Sequence, residues 1–286
     1  PCRGVRDWPG FHPVDIYRRP PNPMPDSVIE VTRDGAIATV SICRAERRNA
    51  VTPQMMQDLV DVARSFASDE QTRSIVFRAD GDDFSVGADL SRHQSDEEPP
   101  SLLMRRRGAE LGATLMRSLQ EIHQPTICAV KGVATGAGAC IVSACDFRVG
   151  DETARIGYGE VKLGINLMWN AVPLCLHLVG PSRAKQMIMT GRLFDAATME
   201  RWGFLDEVVE ASKLDGRATE WASEYADLPP ISVQMIKRSI NQLSGALDQA
   251  IMHMDADQWL LTAQSEDFRE GVGAFFEKRK PEFKGR

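Results

Sequence analysis

The chain has 286 residues, 43% hydrophobic and 26% charged, enough apolar material for one large domain with a sizeable core. Its formal net charge of −6 argues against a nucleic-acid partner, and no apolar run reaches the roughly 18 residues of a membrane span. Six cysteines, at 2, 43, 128, 140, 145 and 175, show no CxxC spacing and suit reduced thiols in a cytoplasmic protein; no histidine or acid cluster has metal-ligand spacing.

Residues 1–27 carry prolines at 1, 9, 13, 20, 21, 23 and 25, which exclude a regular helix, and lack the apolar core of a secretory signal. The expectation is an extended arm that packs on the domain or on a neighbouring subunit. From Val28 the pattern predicts strands at Val28–Val31 and Ala36–Ile42, a helix at Pro53–Phe66 and a strand at Ser74–Ala79. Ser91–Arg107 sets Asp96-Glu97-Glu98-Pro99-Pro100 ahead of Arg105-Arg106-Arg107 and reads as a solvated, mobile loop leading into a helix from about Leu102 to Ile122. Thr126–Val130, β-branched and apolar between Pro125 and Gly132, is a buried strand, and short strands follow to Ile156. Beyond Gly180 the chain turns helical: Pro181 to Gly191, then Ile231–Leu243, Leu247–Leu261 and Glu266–Phe276. Strands alternating with helices predict an α/β core joined by crossovers, and no internal sequence repeat is visible.

The chemistry concentrates between Thr126 and Gly164. Gly132, Gly136 and Gly138, with Ala134, Ala137 and Ala139, strip side chains from the turn after the strand, so another molecule can lie against the backbone. A helical pattern starts at Ala137, and the first turn of a helix leaves N–H groups unpaired. Such donors suit a carbonyl oxygen that becomes negative during reaction. The same composition also suits a plain strand-to-helix packing turn. A second small-residue turn, Val86-Gly87-Ala88-Asp89, ends in an acid placed to cap the next segment.

In chain order stand ERRNAV at Glu46–Val51, FSVGADL at Phe84–Leu90, the Thr126–Gly164 stretch, LVGPSRAKQMIMTG at Leu178–Gly191, AATMERWGFLDEVV at Ala196–Val209 and FREGVGAFFEKRKPEF near the end. From about Val28 to Lys284 the chain resembles the crotonase, or enoyl-CoA hydratase/isomerase, superfamily. The resemblance implies a spiral of ββα turns over residues 28–210, behind the arm at 1–27, and a C-terminal helical region at 211–286 that assembles a homotrimer or a hexamer of two trimers. It implies an acyl-CoA substrate, coenzyme A being part of the substrate and no other cofactor being needed, and a place in fatty acid metabolism. The oxyanion-hole amides of the family fall on Ala88 and Ala137. Arg48, Ala50, Ala88, Phe275 and Lys278 match coenzyme A contacts, although Phe275 in a core and Lys278 in solvent would equally suit an ordinary amphipathic helix. The segment around Ser91–Arg107 matches a region flanking the acyl pocket.

Two departures from the family pattern bear on the reaction. Hydratases of this type carry two glutamates; Glu160 matches the second, and the first falls on Cys140, whose thiol is a poor carboxylate substitute at neutral pH. No histidine lies nearby in sequence to activate Cys140, so it reads as a pocket wall, with a nucleophile as the alternative. The usual Pro-Gly-Ala-Gly-Gly turn is here Leu167-Met168-Trp169-Asn170-Ala171, and Met168 and Trp169 would make the pocket drier. Glu160, were it not the base, would be an ordinary surface acid in a loop. The expected activity is enoyl-CoA isomerisation by one glutamate that takes and returns a proton. The alternatives are hydration, with water held by Glu160 and an asparagine or Cys140, and binding of an acyl-CoA without turnover.

Overall fold

The computed structural model describes residues 28–91 and 100–286; the predicted arm and the acidic part of the predicted loop lie outside these residues. Strands β1 (Ile29–Asp34) and β2 (Ile37–Ile42) form an antiparallel hairpin turning at Gly35, whose φ of 56° favours glycine. β2 then pairs in parallel with β3 (Ser74–Ala79), and parallel pairing continues through β4 (Thr126–Val130), β6 (Phe147–Asp151) and β9 (Glu207–Val209), giving the order β1-β2-β3-β4-β6-β9. A short second sheet combines β5 (Val133–Thr135), β7 (Arg155–Gly157) and β8 (Phe194–Asp195).

The chain moves from the long sheet to the short one after β4 and again after β6. At the first crossing Gly132 has φ 51°, and a Cβ there would stand 2.0 Å from the Asp82 carbonyl oxygen. Successive passes therefore build a spiral of ββα turns, a repeat held in the backbone path with no trace in the side chains.

Both faces of the long sheet are covered, as a mostly parallel sheet requires. Side chains alternate across it: Ile75, Phe77, Cys128 and Val130 join the main core, while Val76, Ile127 and Ala129 face the other way. The main core is closed by α1 (Pro53–Ser65), capped by Thr52, and α2 (Leu102–Gln120), capped by Ser101, with Leu115, Met116 and Leu119 fully buried. The opposite face is covered by α7 (Leu214–Ala226) through Leu214, Ala218 and Ala222. Arg148 is 3% exposed, with its guanidinium satisfied by the carbonyls of Cys145, Asp146 and Phe204 and by Asp206.

Around this core lie α3 (Ala137–Ala144), α4 (Ala171–Val179), α5 (Pro181–Thr190) and α6 (Ala196–Trp202). Then come α8 (Pro230–Ser244), α9 (Gln249–Met252), α10 (Asp255–Ala263) and α11 (Glu266–Glu277). The helix expected at Leu247–Leu261 is broken at His253–Met254. The carboxylate of Asp255 turns inward to take the backbone N–H of Asn170, and α10 starts there. Helix α8 has no buried residue and exposes Ile231, Met235, Ile236, Ile240 and Leu243.

Leu115→Ala, which empties a fully buried site on α2, is expected to lower unfolding stability by about 2–5 kcal/mol in urea titrations.

Candidate active site

The site is built where two turns press together. The first begins with Asn49, fully buried at φ 55°. Its side-chain amide donates to the carbonyls of Asp80 and Asp83, each at 2.8 Å, and its side-chain oxygen takes the Arg44 N–H at 2.9 Å. This stitches the turn after β2 to the loop after β3. Beyond it, Val51 pairs with the Val86–Asp89 turn: the Gly87 carbonyl accepts from Val51 N–H at 2.8 Å and Asp89 N–H donates to the Val51 carbonyl at 2.9 Å. Because backbone groups alternate along an extended segment, Ala88 N–H points away from that pairing. It has no acceptor among the described residues.

The second turn joins β5 to α3. Ser85 N–H donates to the Val133 carbonyl at 2.9 Å and Thr135 N–H to the Ser85 carbonyl at 3.0 Å, so the two turns run side by side. A Cβ on Gly138 would come within 2.7 Å of the Ser85 carbonyl oxygen, and one on Gly87 within 3.2 Å of the Thr135 oxygen and 3.9 Å of Ala137 N. Only glycines let the turns approach this closely. Gly136, at φ 53° and ψ −121°, opens α3 and leaves Ala137 N–H at the first helical position without an acceptor among the described residues.

Glu160 stands against this pair of turns. It follows β7 and the fully buried Tyr158, and starts a 3-10 turn, Glu160–Leu163. Its Oε1 lies 3.2 Å from the point a Cβ on Gly136 would occupy, and Gly87 Cα lies 3.6 Å from the same point. Oε2 is shut off from solvent and has no hydrogen-bond partner among the described residues. Burial raises the carboxyl pKa to about 7, against a smaller opposing effect from its own backbone N–H. A carboxylate beside two unpaired N–H donors, ready to exchange a proton near neutrality, is equipped for acid–base chemistry next to an oxygen that gains charge.

Cys140, 1% exposed in α3, has its thiol pushed well up by burial and then by the charges of Glu160 and Asp255. The protonated form is therefore favoured, which disfavours a thiolate at this position. Trp169 is buried with its indole against α2, where a Cβ on Gly112 would meet the ring at 2.0 Å; Met168, partly buried, packs against the main core. Asp89 is structural: hydrogen bonds from the Ser91 side chain and from the Ser91 N–H, the latter to Oδ1 at 3.0 Å, with the Arg44 pair on Oδ2 at 2.8 Å, hold its pKa down at about 2.

The residues matched to coenzyme A are placed differently from one another. Arg48 is exposed at φ 51° and pairs with Asp83 at 2.6 Å, so its charge is already matched. Ala50, on the same turn, donates its N–H to the Arg47 carbonyl at 3.0 Å and accepts from Arg44 at 2.7 Å. Phe275 and Lys278 lie on the exposed end of α11. That helix also packs on the Glu160–Leu163 turn: Gly271 lies so close to Leu163 that a Cβ there would stand 2.6 Å from its carbonyl. Among Arg105–Arg107, Arg106 pairs with Asp257 of α10 at 2.6 Å. Asp255, 6% exposed, was not foreseen as part of the site; no periodicity marks it, because the break that turns it inward lies inside a continuous helical pattern.

Residues 32–286 match the sequence family described as Enoyl-CoA hydratase/isomerase. The chain belongs to that family, the crotonase superfamily. It is 30% identical over 257 residues to the short-chain-enoyl-CoA hydratase of Clostridium acetobutylicum, covering 89% of this chain and 97% of that protein. It is 28% identical over 250 residues to the 1,2-epoxyphenylacetyl-CoA isomerase of Escherichia coli, covering 87% and 95%. The crystal structure of an enoyl-CoA hydratase/isomerase from Pseudoalteromonas atlantica superposes with a TM-score of 0.80 at 27% identity, covering 90% of this chain and all of that one. The ββα spiral is thus the crotonase fold, and the protein is an enzyme of the crotonase type. No helix among the described residues is long and apolar enough to cross a membrane.

The raised pKa of Glu160 carries a signed consequence. Between the ordinary carboxyl value of 4.5 and about 7 the folded state binds a proton that the unfolded state has lost. Wild type should therefore lose stability relative to Glu160→Gln as pH rises through that window, by up to about 1.4 kcal/mol per pH unit, and show no such trend below it. Urea titrations of both proteins from pH 4 to 8 check this.

Proposed function

We propose that the protein is an enoyl-CoA isomerase in which Glu160 alone moves the proton. The observation that carries the reading is the pairing of one desolvated carboxyl group, its Oε2 unpartnered, with a protonated thiol at the position where hydratases carry their other acid. The N–H groups of Ala88 and Ala137 hold the thioester carbonyl oxygen of a 3-enoyl-CoA and stabilise the dienolate oxyanion. Glu160 removes a proton from C2, the C3–C4 double bond shifts to C2–C3, and the same carboxyl group returns the proton to C4. Atoms and charge balance without water or a second acid, and Met168 and Trp169 keep the pocket dry. Nucleotide and pantetheine contacts fall to the Arg48–Ala50 turn, Ala88, Phe275 and Lys278. The apolar face of α8 is the surface through which we expect a homotrimer or hexamer to form.

Hydration of a 2-enoyl-CoA is the second reading. The names of relatives favour it, as does the buried, unpartnered Asn170 Oδ1, an acceptor that suits a bound water.

The test is turnover of 3-hexenoyl-CoA and crotonyl-CoA in deuterated water. The isomerase reading expects 2-hexenoyl-CoA with little deuterium, because a shielded carboxyl group returns the proton it took, together with no hydration of crotonyl-CoA and kcat/KM rising with pH through an apparent pKa near 7. Glu160→Gln should lower kcat by about 10²–10⁴. Hydration of crotonyl-CoA would instead select the second reading, and full activity of Glu160→Gln would remove Glu160 from both.

A further inference from the structure

The segment carrying the two largest pocket residues is held from outside the core. Trp169 and Asn170 follow one another with φ 69° and 57°, a conformation non-glycine residues adopt only where surroundings impose it. The surroundings here are α10. Asp255 Oδ2 accepts the Asn170 N–H at 3.1 Å, and the Trp169 N–H supports the same carboxylate. Seven residues on, and so on the same face of the helix, Thr262 Oγ1 lies 3.1 Å from Asn166 Oδ1 and shares its one hydroxyl hydrogen among that oxygen and the carbonyls of Gln258 and Trp259. One helix face therefore grips the Asn166–Asn170 segment at both ends.

The other side of the wedge is α2. The Trp169 indole fills the space that a side chain at position 112 would need, so Gly112 is the seat of the ring. Helices α2 and α10 are joined in turn by the Arg106–Asp257 pair at 2.6 Å. An acid in the first turn of α10 is favoured by the helix dipole, but the exposed Asp257 serves that purpose equally and needs no burial. Burying Asp255 requires another reason, and the Trp169–Asn170 turn supplies it.

We propose that Asp255 is a positioning residue that holds the Trp169–Asn170 turn across the acyl end of the site, so that α10 and Gly112 together set the size of the acyl group admitted. This rests on the acyl-CoA reading above and extends it from the reaction to the choice of substrate. Asp255 touches no reacting atom; it acts through Trp169.

The experiment joins two readouts on the full chain: amide hydrogen exchange across residues 166–171, and calorimetric binding of butyryl-CoA and decanoyl-CoA, which do not react. Wild type, Asp255→Ala, Asp255→Asn and Trp169→Ala are compared. Asp255→Ala is expected to speed exchange in 166–171 at least tenfold. In both Asp255→Ala and Trp169→Ala, the affinity ratio of decanoyl- to butyryl-CoA should rise by about tenfold or more. Asp255→Asn, which keeps an acceptor oxygen, should fall between. If Asp255→Ala does not fold, Asp255→Asn and Thr262→Val carry the comparison, each with a smaller shift of the same sign.

Loosening confined to α10, or an unchanged affinity ratio in the Asp255 variants while Trp169→Ala shifts it, would overturn the proposal. Failure of wild type to bind either thioester would overturn the acyl-CoA reading and the size claim with it, while the exchange rates would still show whether Asp255 holds the turn.

Discussion

A partly buried carboxyl group, one of its oxygens shut off from water and unpartnered, beside unpaired backbone N–H groups is the interaction on which this structure turns. Glu160 Oε2 has neither solvent nor a partner among the described residues, so the charged form is disfavoured and the pKa rises to about 7. The fold is less stable near neutrality for keeping such a group ionised, and the surrounding features are those needed to hold it there. Gly136 and Gly87 leave room for it, α11 closes on its 3-10 turn through Gly271, and the thiol of Cys140 beside it stays protonated. The same desolvation that burdens folding brings the carboxyl group's proton affinity to where proton exchange near neutrality is easiest, which is what the proposed shuttle requires.

The unpaired N–H groups in the two turns beside that carboxyl group depend on connections that look incidental until traced. Ala88 and Ala137 contribute only backbone, so their N–H groups are aimed by neighbours: Asn49 by locking the loop after β3, Val51 by pairing both sides of Ala88, Ser85 by binding the two turns to each other. Backbone donors fixed in this way need no reorganisation when charge develops on a substrate oxygen. Helices α10 and α11 complete the arrangement by contacting the Glu160–Asn170 stretch through Asp255, Thr262 and Gly271, so the C-terminal region packs on the site of its own chain.

Much of this was written in the sequence, though unevenly. The strands at Ser74–Ala79 and Thr126–Val130 and the helix from Pro53 were marked by apolar periodicity, proline and capping residues, signals that act locally. The two small-residue turns were equally visible, since close backbone approach requires glycine. Glu160 stood out through the family motif; the shift of its carboxyl group to near neutrality depends on burial that no short window reports. Asp255 was hidden for a related reason. Its neighbours at 247–261 read as one continuous helix, and only the tertiary demand of the Asn170 N–H breaks that helix and turns the acid inward. Arg48 is a third case: an arginine in a turn suggests a phosphate contact, and no short window shows that Asp83, distant in sequence, pairs with it.

The most direct measurement is the titration of Glu160 itself, by carbon-13 NMR of side-chain-labelled glutamate, with Glu160→Gln to assign the resonance. The account predicts one glutamate carboxyl titrating near pH 7, absent from the variant. A Glu160 resonance titrating near the ordinary 4.5 would show a solvated carboxylate and contradict the account at its centre.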